Sequence, residues 1–318
     1  MIRYRAFQNW DPPALAEIWR SQPPLRGRMQ PVTAAMIEDL VLSKPYFDRQ
    51  GLILAVDGAR PVGFAHASFG ANEDMSGIDH QQGSIQMVLT APHPERATIA
   101  LELVSAAEDY LRRRGARRLY AGIRFPFNGF YVGLYGSCDM SGILGSDLAA
   151  RELFSAAGYR ETNKRLLLHR SLIGCRSVID FKQMQLRKKF QVTCCTDVLP
   201  DNWWENCVWS HAEWLRVKLT LRDGSDSIIS ATFWEILPLS RAWGVRTVGM
   251  VRLEDTPEAR EEGLTTLLLG EAFRQLAEQH MAQVEVQAPT DDESLLKIYK
   301  QLGLVEHDTA GLFCKEGS

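Results

Sequence analysis

The feature that most constrains this chain is that it repeats itself. In the first half, Ser84–Leu89 reads as a strand, followed after a proline-containing loop by a helix over about 96–114. Its apolar residues Ile99, Leu103, Ala106, Ala107 and Tyr110 recur at helical spacing. Gly115 stops that helix, Arg118–Gly122 returns as a strand, and a second helix over about 148–157 ends at Gly158 before a strand near 166–169. The last third runs in the same order, with strands at 245–253, 283–287 and 312–315 and helices at 264–278 and 295–302. Met87 and Tyr120 stand about 33 positions apart, Met250 and Val284 about 34. The helix stops correspond too: Phe154, Gly158 and Tyr159 match Tyr299, Gly303 and Leu304 in spacing. One supersecondary unit used twice predicts a duplicated α/β domain.

This reading divides the chain into an N-terminal domain over 1–173, a linker helix over 174–189 and a C-terminal domain over 190–318. Ahead of the first unit stand a strand at Arg3–Phe7, a helix opened by Pro12 and Pro13, and a helix capped by Thr33. A hairpin turning at Asp57 and Gly58 follows. Length supports the division, since 318 residues with 45% hydrophobic content are enough for two domains with their own cores. A net charge of −3 argues against nucleic-acid binding by bulk charge. No apolar run reaches the roughly 18 residues of a membrane span. Six scattered cysteines without a Cys-x-x-Cys pair, behind an N-terminus with no apolar signal core, are expected to be reduced thiols of a cytoplasmic protein. The histidines show no metal-ligand spacing, so no metal is expected, and no nucleophile elbow or Gly-Lys-Ser/Thr phosphate loop occurs.

The second unit carries the clearer chemistry. Behind the strand ending at Leu253, the loop runs through Arg260, Glu261, Glu262 and Gly263 into Leu264, Thr265 and Thr266. A glycine at a helix start directly behind a strand frees backbone N–H groups at a positive helix end, which suits a diphosphate. An ordinary helix start is the alternative. The loop resembles the Arg/Gln-x-x-Gly-x-Gly/Ala signature of the GNAT acyltransferase superfamily, with Thr265 in the last position. Tyr299, placed before Gly303 and Leu304, fits that family's downstream tyrosine.

The resemblance implies two GNAT-like domains, each a mixed, mostly antiparallel twisted sheet flanked by helices around a central splayed parallel strand pair. Tandem members such as mycothiol synthase share the arrangement, with the C-terminal copy the working one. It further implies acetyl-CoA in the gap near Leu253 and Gln287. The N–H groups of Glu261, Gly263 and Thr265 would hold the diphosphate, with Arg260, Glu262, Leu264 and Thr266 in the same binding loop, and Tyr299 would protonate the thiolate. An attacking amine must lose a proton, for which Glu235 and Glu254 are the candidate bases. The implied reaction is acetyl transfer to an amine of a small molecule or peptide. The carboxylates Glu254, Asp255, Glu258, Glu261 and Glu262 around that loop keep open an alternative, a non-catalytic acyl-CoA or partner-binding sensor or scaffold.

The first unit lacks a glycine in the matching loop, which runs from Leu89 to Ala100, although Ala97, Thr98 and Ala100 are small. Phe154 stands where Tyr299 stands in the second unit. That half is expected to be structural, or to hold a cofactor without turning it over. A glycine- and aromatic-rich insertion over 125–146 predicts either a cover for a substrate gap, with Tyr131 and Tyr135 lining it, or a plug between domains. The cluster of Trp203, Trp204, Trp209, Trp214, Trp234 and Trp243 is expected to be core.

Overall fold

The computed structural model describes residues 1–175, 181–196, 198–224 and 227–316, so part of the expected linker, residues 176–180, lies outside the described residues. The N-terminal half contains β1 (Ile2–Ala6), α1 (Pro12–Arg20), α2 (Ala34–Ile37), β2 (Leu52–Asp57), β3 (Arg60–Ala71) and β4 (Ile78–Thr90). It continues with α3 (Arg96–Arg113), β5 (Arg118–Ala121), β6 (Ile143–Leu144), α4 (Leu148–Ala156) and β7 (Arg160–Ser171). The C-terminal half contains α5 (Phe181–Lys189), β8 (Phe190–Cys195), α6 (Trp203–Val208), β9 (Trp214–Leu221), β10 (Ser227–Glu235) and α7 (Leu237–Trp243). Then follow β11 (Thr247–Glu254), α8 (Pro257–Glu262), α9 (Leu264–Glu278), β12 (Gln283–Pro289), α10 (Glu293–Gln301) and β13 (Val305–Glu316).

Local chemistry fixes the boundaries. The Thr33 side chain accepts from the Met36 amide at the start of α2, which runs on as a π-helical turn over Glu38–Leu42. Asp147 and Asp292 cap α4 and α10 in the same way, three residues ahead of Ala150 and Leu295, so the repeat extends to its caps. Gly263, at φ +82°, turns the chain between α8 and α9 in a conformation that side-chain-bearing residues rarely adopt.

All strands join one mixed sheet in the order β1-β2-β3-β4-β5-β13-β7-β12-β11-β10-β9-β8, with β6 on β13. Most pairs are antiparallel; β4 with β5 and β11 with β12 are the parallel ones. Each parallel pair is short. The first ends at Ile85 and Ala121, the second at Gly249 and Glu285, and beyond those residues the strands part. This is the sheet with a central splayed pair in each half. The halves also exchange strands: β13 from the second half pairs with β5, and β7 from the first pairs with β12.

Helix α3 packs by one apolar face. In α3, Ile99, Leu103, Ala107 and Leu111 are buried. In α9, Leu267, Leu268, Leu269, Phe273 and Leu276 are buried, each contributing about 2 kcal/mol of apolar burial. The α9 helix is enclosed nearly all round because α5 crosses its outer side. The insertion over 125–146 is a plug between the halves. Its Phe130, Tyr131, Leu134, Cys138 and Met140 are buried, and Trp234 Nε1 donates to the Cys138 carbonyl at 2.7 Å. Trp204, Trp209, Trp214 and Trp234 belong to the same core, as their density in the sequence predicts, whereas Trp203 is partly exposed. Among the described residues no helix is long and apolar enough to cross a membrane.

Candidate functional site

Each splayed pair opens a gap, and the two gaps differ. In the N-terminal half the Gly122 amide donates to the Ile85 carbonyl at the apex. Above it lies a cavity of about 760 Å³ bounded by Gln86–Thr90 of β4, the start of α3 and one side of α4. Gln86 lines it from the first position after the split. Only 3% of its surface is exposed, and neither its Nε2 nor its Oε1 has a hydrogen-bond partner. A buried amide without partners costs about 1–3 kcal/mol, so this one is poised for a ligand.

The start of α3 is open in the same cavity. No side chain caps it, and its first intrahelical bond runs from the Ile99 amide to the Glu95 carbonyl. The amides of Ala97 and Thr98 thus stand at the positive helix end, with small Ala97 and Ala100 on the cavity wall. Arg96 adds a positive charge. It is held by neutral groups, Nε 2.9 Å from Thr90 Oγ1 and one terminal nitrogen 3.1 Å from Gln22 Oε1. Along the wall, Tyr135 donates to Asp147 at 2.9 Å while Asp147 pairs with Arg28 at 2.7 Å. Burial, with Asp147 adding to it, pushes the Tyr135 phenol well above its ordinary range, so it stays protonated. Phe154 lines the cavity from α4 and has no hydroxyl to offer.

The C-terminal gap is smaller, about 340 Å³, and is lined by Met250–Leu253, Arg260, Gln287, Asp292, Leu295 and Tyr299. Tyr299 is completely buried, its hydroxyl has no partner, and burial raises its pKa. The loop ahead of α9 is held by contacts of its own, although no side chain caps the helix. The Gly263 amide donates to Ala259 and Arg260, the hydroxyl of buried Thr265 donates to Asp255 at 2.9 Å, and Arg260 is locked between Asp255 and Asp292 at 2.8 and 2.9 Å. Helix α5 lies across this point, with Lys182 Nζ donating to the Glu261 carbonyl and Gln183 Nε2 to that of Gly263. Leu264 and Thr266 are buried in α9, and Glu261 and Glu262 face solvent.

The two carboxylates read as candidate bases stand elsewhere. Glu235 pairs with Arg246 at 2.9 Å, and Glu254 accepts from Ser230 at 2.5 Å beside Arg252. Arg260, Leu253 and Tyr299 are therefore brought together, while Glu235 and Glu254 are not. Sequence reasoning missed Gln86, whose position next to the end of a short parallel pair becomes visible only with the register. It also missed Asp139 and Met140, which the insertion carries out of the first half into the second gap.

Two splayed strand pairs in a shared mixed sheet, each flanked by a helix that starts behind the first strand, make a duplicated α/β fold. Residues 13–140 match the model of the Acetyltransferase (GNAT) family. In sequence, no curated protein matches the chain. In structure it is similar to a GCN5-related glucosamine N-acetyltransferase region of a fungal multi-domain GH3 β-N-acetylglucosaminidase, with TM-score 0.71 and 15% identity over 99% of this chain and 38% of the other. It is also similar to a tandem GNAT protein from the clavulanic acid biosynthesis pathway, with TM-score 0.64 and 12% identity over 100% and 99%. A GCN5-related N-acetyltransferase from Sphaerobacter thermophilus gives 0.63 and 15% over 99% and 95%. The chain thus has the fold of these tandem GNAT structures, and it spans about two-fifths of the fungal chain and nearly all of the other two.

Proposed function

We propose that the protein transfers an acetyl group from acetyl-CoA to the amine of a small molecule or peptide in the cytoplasm, and that the N-terminal gap holds the acyl-CoA. The unpartnered Gln86 amide on the wall of a large cavity carries this reading, because a seated ligand would complete its donors and acceptor. Acetyl-CoA brings the activated thioester; the chain supplies everything else. The Ala97 and Thr98 amides and the Arg96 guanidinium meet the negatively charged diphosphate. Gln86 presents N–H donors near the apex, where the acyl carbonyl would lie. The Tyr135–Asp147 pair is a buried ionisable group on the wall that would carry a proton, a task Phe154 cannot perform.

A second reading places the working site in the C-terminal gap, as the family signature around Gly263 suggests, and the partnerless hydroxyl of Tyr299 favours it. Equilibrium titration with acetyl-CoA, followed as a rise in melting temperature, separates the two. Arg96→Gln and Gln86→Leu should lower the affinity about tenfold, while Gly263→Glu and Tyr299→Phe should leave it unchanged. The reverse pattern transfers the site to the second gap. No saturable binding at millimolar acetyl-CoA would leave a non-catalytic scaffold.

A further inference from the structure

The C-terminal gap has α5 across its α9 end and a polar interior. Four arginines, Arg124, Arg165, Arg252 and Arg260, line it with two carboxylates, Asp139 and Asp292. Arg252 is committed to Asp201 and Glu205, and Arg260 to Asp255 and Asp292. Among the described residues Arg124 and Arg165 enter no ion pair. Arg124 donates to the Asn163 carbonyl, and Arg165 Nε is buried without a partner. Three more polar groups converge here: the fully buried Tyr299 hydroxyl and Gln287 Oε1, both partnerless, and Asp139, which accepts from Gln287 Nε2 at 3.3 Å. The rest of the wall is apolar, from Met140, Met250 and Leu295.

We propose that this second gap is a binding site for a small monocarboxylic acid with an apolar body, its carboxylate held by Arg124, Arg165 and the Tyr299 hydroxyl. Two guanidinium groups without an ion pair favour an anion, and their planar forks match a carboxylate. Asp139 beside them disfavours a doubly charged phosphate. The position of α5 across the α9 start, where Lys182 and Gln183 donate to the Glu261 and Gly263 carbonyls, disfavours a coenzyme A diphosphate there. The insertion connects this site to the other gap, since it supplies Asp139 and Met140 here and Tyr135 there. The site is independent of whether the N-terminal gap binds acyl-CoA.

The full-length protein is titrated with 4,4,4-trifluorobutyrate and followed by the broadening of its ¹⁹F signal, which needs no variant. Saturable broadening, displaced by butyrate but not by equimolar inorganic phosphate, is the expected result. Arg165→Gln should weaken binding about tenfold, and Asp139→Asn should tighten it by removing a like charge. Arg96→Gln in the other gap should leave it unchanged, with circular dichroism confirming that each variant is folded. Absence of saturable broadening, or equal displacement by phosphate, overturns the proposal. So does displacement by acetyl-CoA that Arg165→Gln abolishes, which would make this gap a cofactor slot.

Discussion

Gln86 and Asp139 carry the sharpest tests at the scale of single residues. Replacing Gln86 by Leu removes two unpartnered polar atoms from a buried position, so the variant should melt at the same temperature or higher even as acetyl-CoA binding falls. A Gln86 that merely packed would lose stability and leave binding alone; chemical denaturation beside ligand titration tells the two apart. Asp139 makes a pH prediction. Desolvation lifts its carboxyl to about 6, against the opposing pull of the Met140 amide, Arg165, Arg124 and Gln287. A carboxyl raised in the folded state keeps its proton there while the unfolded chain has lost it. Its contribution is present below about pH 4 and is lost as the pH climbs toward 6. Relative to Asp139→Asn, the protein should lose roughly 1–2 kcal/mol between those values, measured by denaturation at each pH. A constant difference would place that carboxyl in water.

Elements were legible in the sequence where periodicity and caps agreed. The spacing of Ile99, Leu103 and Ala107 marks α3, Thr33 marks the start of α2, and the common stops at Gly158 and Gly303 mark the repeat. What lay out of reach were long-range placements. Nothing local says that α5 crosses the start of α9, because only tertiary packing brings Gln183 to Gly263, 80 positions away. The same holds for the insertion, whose rings suggested a plug or a cover and whose backbone lies against β11. That contact makes Gly249 a test of the element: a Cβ there would sit 2.6 Å from Cys138 Cα, backbone that has little room to yield. Gly249→Ala should destabilise the protein by about 2 kcal/mol or more, read from its unfolding transition. A neutral change would show that the insertion moves freely against the sheet. As for the site, the glycine loop drew attention to the second half because it is a linear motif. The first gap announces itself by an unpaired amide and an open helix start, neither of which is written in consecutive letters.

For the whole molecule, the strand exchange matters most. The division into 1–173 and 190–318 follows the repeat, yet β13 lies between β5 and β7, and β7 pairs with β12. Deleting residues 305–316 should therefore unfold both halves together rather than the second alone. A single lost transition in calorimetry would confirm it, and survival of a cooperative N-terminal transition would refute it. The interlock also sets an order of events during synthesis. The edge of β5 beside Phe313–Glu316 stays unpaired until residues about 190 positions downstream have been made, so an exposed strand edge is displayed throughout that interval. A nascent chain built this way closes its first half late, and until then that edge is free to pair with a neighbour's.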